Sequence, residues 1–224
     1  MLSKDGSVHV TDEFYNTLIS SLGALLAVVG LYFLISHALI VRGPWHVFSF
    51  SVYGLSLVFM FTSSALHHGV DGSEKTNHLL RQLDYFAIFL TIAGTFTPFC
   101  LILLRNTLGW GVLGVIWILA ALGITLKALF PHIPRWIILL LYIGMGWLGL
   151  IMAKPIYHAL SWQGLVPLLV GGFFFTAGGA IYGLERPNPF PGRFGFHEIW
   201  HVFVLAGVAS HFALMYFFLL PYSQ

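Results

Sequence analysis

Seven runs of roughly twenty mostly apolar residues occupy most of the chain, at about 17–40, 45–66, 83–104, 108–130, 135–154, 162–184 and 197–220. A helix of that length spans the hydrocarbon core of a bilayer, and an apolar run this long has few other solutions. Only 8% of the residues are charged, against about a quarter in a soluble domain, so the chain could not cover a water-facing surface. The expected fold is an all-α integral membrane protein, a seven-transmembrane-helix bundle. Proline-rich breaks separate the later runs, "FPHIPR" at 130–135 and "ERPNPFPGRFG" at 185–195, which no helix crosses. The longest polar gap, "HHGVDGSEKTNHLLRQ" at 67–82, has room for a short surface helix. With no repeat and no polar domain-sized segment, 1–224 reads as a single seven-helix membrane domain.

Charge gives the expected orientation. With a cytoplasmic N-terminus, Lys4, Lys75, Arg81, Lys127, Arg135, Arg186 and Arg193 fall on the inner side, and Arg42, Arg105 and Lys154 on the outer. The positive-inside rule then favours N-in and C-out, in the cell (inner or plasma) membrane. A formal net charge of +2, with its basic residues scattered, argues against a nucleic-acid partner; membrane lipids are the expected partners. The apolar run after Lys4, Asp5, Asp12 and Glu13 is too long for a signal-peptide core, so the first span is expected to remain. The single cysteine, Cys100, admits no intrachain disulfide.

Ionisable groups at membrane depth are costly and therefore candidates for function. Asp84 opens the third run in "RQLDYFAIFL". Of eleven histidines, His9, His46, His78, His132 and His158 fall in tails, turns or span ends, whereas His37 and His211 lie inside spans and are expected to bond a neighbouring helix. Four others converge. The second run ends at His67 and His68, the third begins with Asp84, and the seventh begins with His197 and His201, all at one face of the membrane. His197 and His201 are four apart and share a helical face. Two imidazoles plus a third make the three-histidine zinc site with an open position for water, beside which an aspartate can orient the water or take its proton. Ser63–His67 and Ser64–His68 have the same spacing, so the third ligand is either histidine on this ground.

The stretch "SSALHHGVDGSEKTNHLLRQLDYFAIFLTIAGTFTPF" (63–99) resembles the S-x-x-x-H…D…G-x-x-x-P signature of the hemolysin III and progestin/adipoQ receptor (PAQR) family. "LYIGMGWLGL" (141–150) and "PGRFGFHEIWHVFVLAGVASHF" (191–212) are similar to its fifth and seventh spans, and the compact loops look most like the bacterial branch. The resemblance implies Zn²⁺ on His68, His197 and His201, with Asp84 and Ser64 around the metal water. It also implies kinship with alkaline ceramidases, which hydrolyse a lipid amide. One position departs. The bacterial pattern E-x-x-N-x-x-x-H keeps Glu13 and Asn16 here but has Ser20 in place of the histidine, which weakens a role for the first helix.

"HEIWH" at 197–201 also fits the zincin pattern H-E-x-x-H, in which the glutamate is the general base. His211 lies ten residues past His201, about 15 Å along the axis, too far to complete a zincin site. In the resembled family the residue after the first histidine varies, so Glu198 reads as an interfacial polar residue or a helix N-terminal carboxylate. Gly94 and Pro98 read as packing devices, and Trp45, Trp110, Trp136 and Trp162 as an aromatic belt.

The leading reading is a zinc-dependent hydrolase of lipid amide or ester bonds, with Asp84 and Ser64 as catalytic residues. The alternative is a sensor, receptor or regulator of membrane state with structural zinc. Pore formation lacks the extra polar residues that a water-filled path needs.

Overall fold

The computed structural model describes residues 13–41 and 43–222. Lys4, Asp5, His9, Asp12 and Arg42, used above for orientation and the N-terminus, lie outside the described residues. Among those described there is no strand, and one isolated bridge joins Phe190 to Phe194. The helices are α1 (Glu13–Val41), α2 (Pro44–Gly69), α3 (Glu74–Pro98), α4 (Thr107–Leu129), α5 (Arg135–Trp147), α6 (Ala153–Leu184) and α7 (Phe196–Leu214).

Local chemistry sets the ends. Pro44 stands at the first position of α2, where its missing N–H costs nothing. The hydroxyl of Ser73 caps α3 by accepting from the Thr76 N–H at 3.2 Å, and Asn106 caps α4 through the Gly109 N–H at 3.1 Å. The Ser73 cap changes one expectation: the polar gap holds no separate surface helix. Residues from Glu74 onward form the first turns of α3 itself, so Asp84 sits in its third turn and not at its start.

Six helical stretches are long and apolar enough to cross a membrane, and one of them, Arg135–Leu184, has 50 residues. That stretch folds back on itself. Ser161 has φ 56° and ψ −164°, which breaks the helix. On either side the two arms run antiparallel. Trp147 Nε1 donates to Thr176 Oγ1 at 3.2 Å, and the Gly183 and Gly179 backbones pack against Leu139 and Ile143.

α3 lies at the centre, packed on α2, α4 and α5, with Ala87, Phe89 and Ala93 fully enclosed. Its approach to α2 needs a glycine. A Cβ on Gly94 would meet Ser56 Oγ at 2.4 Å, and one turn away Thr91 Oγ1 donates to the Ser56 carbonyl at 3.0 Å. After Pro98 the chain widens into a π turn, Phe99–Leu103. The outward faces carry Tyr32, Leu39, Ile40, Ile118, Leu122 and Phe217 in the open. Such a girdle is what hydrocarbon, not water, accommodates. This is an all-α membrane protein. At one end of the bundle Trp45 and Trp110 meet edge to face at 6.0 Å, with the Arg105 guanidinium 5.5 Å from the Trp45 ring.

The two span histidines differ. His211 of α7 reaches the Leu168 carbonyl of α6 at 3.3 Å, as expected. His37 bonds within its own helix, Nδ1 lying 2.8 Å from the Phe33 carbonyl, and meets a neighbour through its ring, edge to face with Tyr216 at 5.9 Å. The site end of the bundle gathers the N-termini of α1, α3, α5 and α7 and the C-termini of α2, α4 and α6.

Candidate metal centre

α2 ends one residue past His68, and α7 begins one residue before His197. Their ends meet. One ring nitrogen each from His68, His197 and His201 lies within 4.8 Å of the other two, a group that could hold a metal ion. The three residues are 2%, 8% and 8% exposed. His197 and His201 stack, 4.9 Å between ring centres and 22° between planes, as one helical face requires. His68 stands edge-on to both, at 5.0 and 4.9 Å. His67 is the neighbour and not the third member; its ring is 4.7 Å from that of His68.

The surroundings suit a metal. Nδ1 of His68 is 2.6 Å from Glu13 Oε2, so the carboxylate holds one ring nitrogen and turns the other toward the cluster. A carboxylate behind a histidine in this way fixes the tautomer and raises its basicity as a ligand. Three neutral imidazoles are a donor set suited to Zn²⁺.

α1 supplies more than Glu13. Asn16, 1% exposed, donates through Nδ2 to Glu13 Oε2 at 3.1 Å and to Glu198 Oε1 at 2.9 Å. The other oxygen of Glu198 accepts the Gly195 N–H at 2.7 Å. Glu198 is wholly buried, and both its oxygens are engaged in tying the α7 N-terminus to α1. It is the helix N-terminal carboxylate expected, enclosed in protein. One turn further along α1, Ser20 Oγ donates to Ser64 Oγ at 3.0 Å. Ser64 lies beside Asp84 and His201 on the wall of one cavity. The replacement of a histidine by Ser20 therefore does not detach the first helix. Glu13, Asn16 and Ser20, at spacings of three and four, put one face of α1 against the site.

Residues 8–212 match the family described as "Haemolysin-III related". The protein Hemolysin-3 of Bacillus cereus is 41% identical over 95% of this chain and 94% of its own length. The chain belongs to the haemolysin-III-related family. The Hemolysin-3 homolog of Bacillus subtilis (strain 168) is 37% identical, covering 93% of this chain and 95% of its own. Heptahelical transmembrane protein 5 of Arabidopsis thaliana is 27% identical over 77% of this chain and 49% of its own length. With its apolar helices, membership makes the chain a multi-pass integral protein of the cell membrane.

In this haemolysin-III-related chain the histidine cluster stands between two cavities, one walled almost wholly by apolar groups and a smaller one that also carries charged side chains. A cleft of about 190 Å³ runs up the bundle from Ser64, Asp84 and His201 to Phe99, Met152 and His211, and its walls are mostly aliphatic and aromatic. A chamber of about 40 Å³ opens toward the site end and is lined by Arg81, Asp84, Arg135, Tyr182 and His197, among others. Asp84 and His201 border both. The Tyr142 hydroxyl donates to the Tyr85 carbonyl at 2.7 Å, pinning α5 to α3 beside Asp84.

Proposed function

We propose that the chain is a zinc-dependent hydrolase of lipid amide or ester bonds, crossing the membrane seven times with its N-terminus and metal centre on the cytoplasmic side. The observation that carries the reading is the position of the buried histidine trio and Asp84 where an apolar cleft meets a smaller chamber that carries Arg81 and Arg135. An amphiphile lying across that junction would put its chain in the cleft, its head in the chamber and a linking carbonyl beside the histidines.

His68, His197 and His201 would hold the metal, with Glu13 behind His68. Zn²⁺ in a three-histidine setting supplies Lewis acidity toward a carbonyl and toward water near neutral pH. Asp84 is the carboxylate placed to orient the attacking water and accept its proton, then return it to the leaving amine or alcohol. Ser64 accepts from Ser20 and lines the cleft with Asp84, where its hydroxyl would donate to the carboxylate and hold it in one orientation. The cleft positions the acyl chain and keeps bulk water away, which strengthens each polar interaction at the centre.

A second reading rests on a separate observation. α2 and α7 have little contact with one another among the described residues beyond their site ends, so a metal on His68, His197 and His201 would be a principal tie between them. In that case zinc is structural and the protein is a sensor or receptor of membrane state. Metal analysis and turnover separate the two. Purified protein is expected to carry about one zinc per chain, lost in a His197→Ala/His201→Ala double variant. Lipid amide and ester turnover is expected to fall by ~10²-fold or more in a metal-retaining Asp84→Asn variant, on the scale of general acid–base catalysis. Zinc without turnover across a broad lipid panel gives the structural reading instead.

A further inference from the structure

Two cations lie near the smaller chamber without a carboxylate of their own. Arg81 lines the chamber from α3, one turn before Asp84. Lys127, 5% exposed, comes from the end of α4 and stands over Tyr85, itself part of the chamber's lining. The Lys127 ammonium lies 4.3 Å from the Tyr85 ring centre and donates to the Pro131 carbonyl at 2.8 Å. Neither partner neutralises it. Among the described residues Arg81 and Lys127 form no ion pair. A third cation, Arg135 of α5, lines the same chamber but is matched by Glu185 at 2.9 Å and stacked 5.1 Å from the Tyr182 ring centre.

Like charges gathered in a partly desolvated place are unfavourable until an anion joins them. The chamber's own carboxylate, Asp84, sits at its junction with the cleft beside His201. That leaves two positive charges over, and a third cation, the Arg135 guanidinium, approaching from a different helix. A planar carboxylate is served by one arginine fork. Cations converging from α3, α4 and α5 suit a tetrahedral group with several charged oxygens, and a phosphate monoester carries about −1.5 to −2 at neutral pH.

We infer that Arg81, Lys127 and Arg135 form a phosphate subsite at the mouth of the metal centre, so that the preferred occupant is a phosphate monoester whose apolar chains lie in the cleft. As substrate recognition the inference rests on the hydrolase reading above; as binding it is measured without turnover, so failure of one is told apart from failure of the other.

The test uses the full chain in phosphatidylcholine nanodiscs, with zinc and after chelation. The probes are dioleoyl phosphatidate, dioleoylglycerol with the same chains and no phosphate, and inorganic phosphate. Phosphatidate is expected to bind about tenfold or more tightly than dioleoylglycerol, the scale of one hydrogen bond to a charged group, and to keep that preference after chelation. Arg81→Gln is expected to lose most of it and Arg81→Lys to retain most. Displacement of phosphatidate by inorganic phosphate would make the natural anion a soluble one, and failure to displace would make it a lipid headgroup; both retain the subsite. Equal binding of phosphatidate and dioleoylglycerol, a preference unchanged in Arg81→Gln, or a preference that vanishes with the metal overturns the inference.

Discussion

Glu13 Oε2 lies 2.6 Å from Nδ1 of His68, joining the first turn of α1 to the last turn of α2 across 55 positions of sequence. Outer partners of this kind change metal affinity by about 10–100-fold when removed. Glu13→Ala is accordingly expected to weaken zinc by that factor, read by competition with a chromophoric chelator. Glu13→Gln, which keeps an acceptor without the charge, should lose less. Equal affinity in wild type and Glu13→Ala would place the carboxylate outside the metal's influence.

Glu198 is expected to matter for folding and not for chemistry. Its oxygens satisfy the Asn16 amide and the Gly195 N–H, so truncation leaves two buried donors unmatched. Glu198→Ala should cost about 1–3 kcal/mol for each donor that water does not reach, seen as a lower melting temperature in detergent. Glu198→Gln restores an acceptor for one of them and should keep both metal and turnover. A general base would behave the other way: Glu198→Gln would melt like wild type and be inactive.

The difference between those two glutamates shows what a sequence can carry. His197 and His201 were legible because four residues is a helical repeat, and Asp84 because a carboxylate in an apolar run is rare. His67 and His68 could not be separated by spacing, since each has a serine four residues before it; the family resemblance pointed to His68, and the fold places that ring at the cluster. Glu13, Asn16 and Ser20 repeat on one helical face too, but which residues that face meets depends on the packing of α1 against α2 and α7. Ser20 in place of a histidine hides in the sequence a helix whose polar groups act through hydrogen bonds. The start of α3 was obscured for another reason. Hydropathy finds where a helix becomes apolar, while the Ser73 cap decides where it begins, three turns earlier.

Gly94 offers a test of the packing that places Asp84. A Cβ there meets Ser56 Oγ at 2.4 Å, so α2 and α3 must separate or the serine must turn. Gly94→Ala is expected to destabilise the protein by about 1–3 kcal/mol, the usual scale of overpacking, and Gly94→Val by more. The same displacement would move Asp84 relative to Ser64, so turnover per folded molecule should fall as well. A melting temperature unchanged in Gly94→Val would mean that the two helices are not in close contact.

Gly172 allows the cleft to be narrowed without disturbing the metal centre. It lines the cleft, and a Cβ added to it meets nothing within 4 Å, so a larger side chain has room to enter the cavity. Gly172→Leu and Gly172→Phe are expected to fold, to bind metal as wild type does, and to shorten the acyl chain that the site accepts. Burying one CH₂ contributes about 0.8 kcal/mol, so three or four methylenes excluded from the cleft would weaken a long-chain ligand by ~10²-fold. A short-chain analogue should be affected little. The measurement is a chain-length series of binding or turnover against wild type, with zinc content determined on the same samples. A uniform loss at every chain length with zinc retained would mean that the acyl chain lies elsewhere, most simply against the outer, lipid-facing surface of α5 and α6.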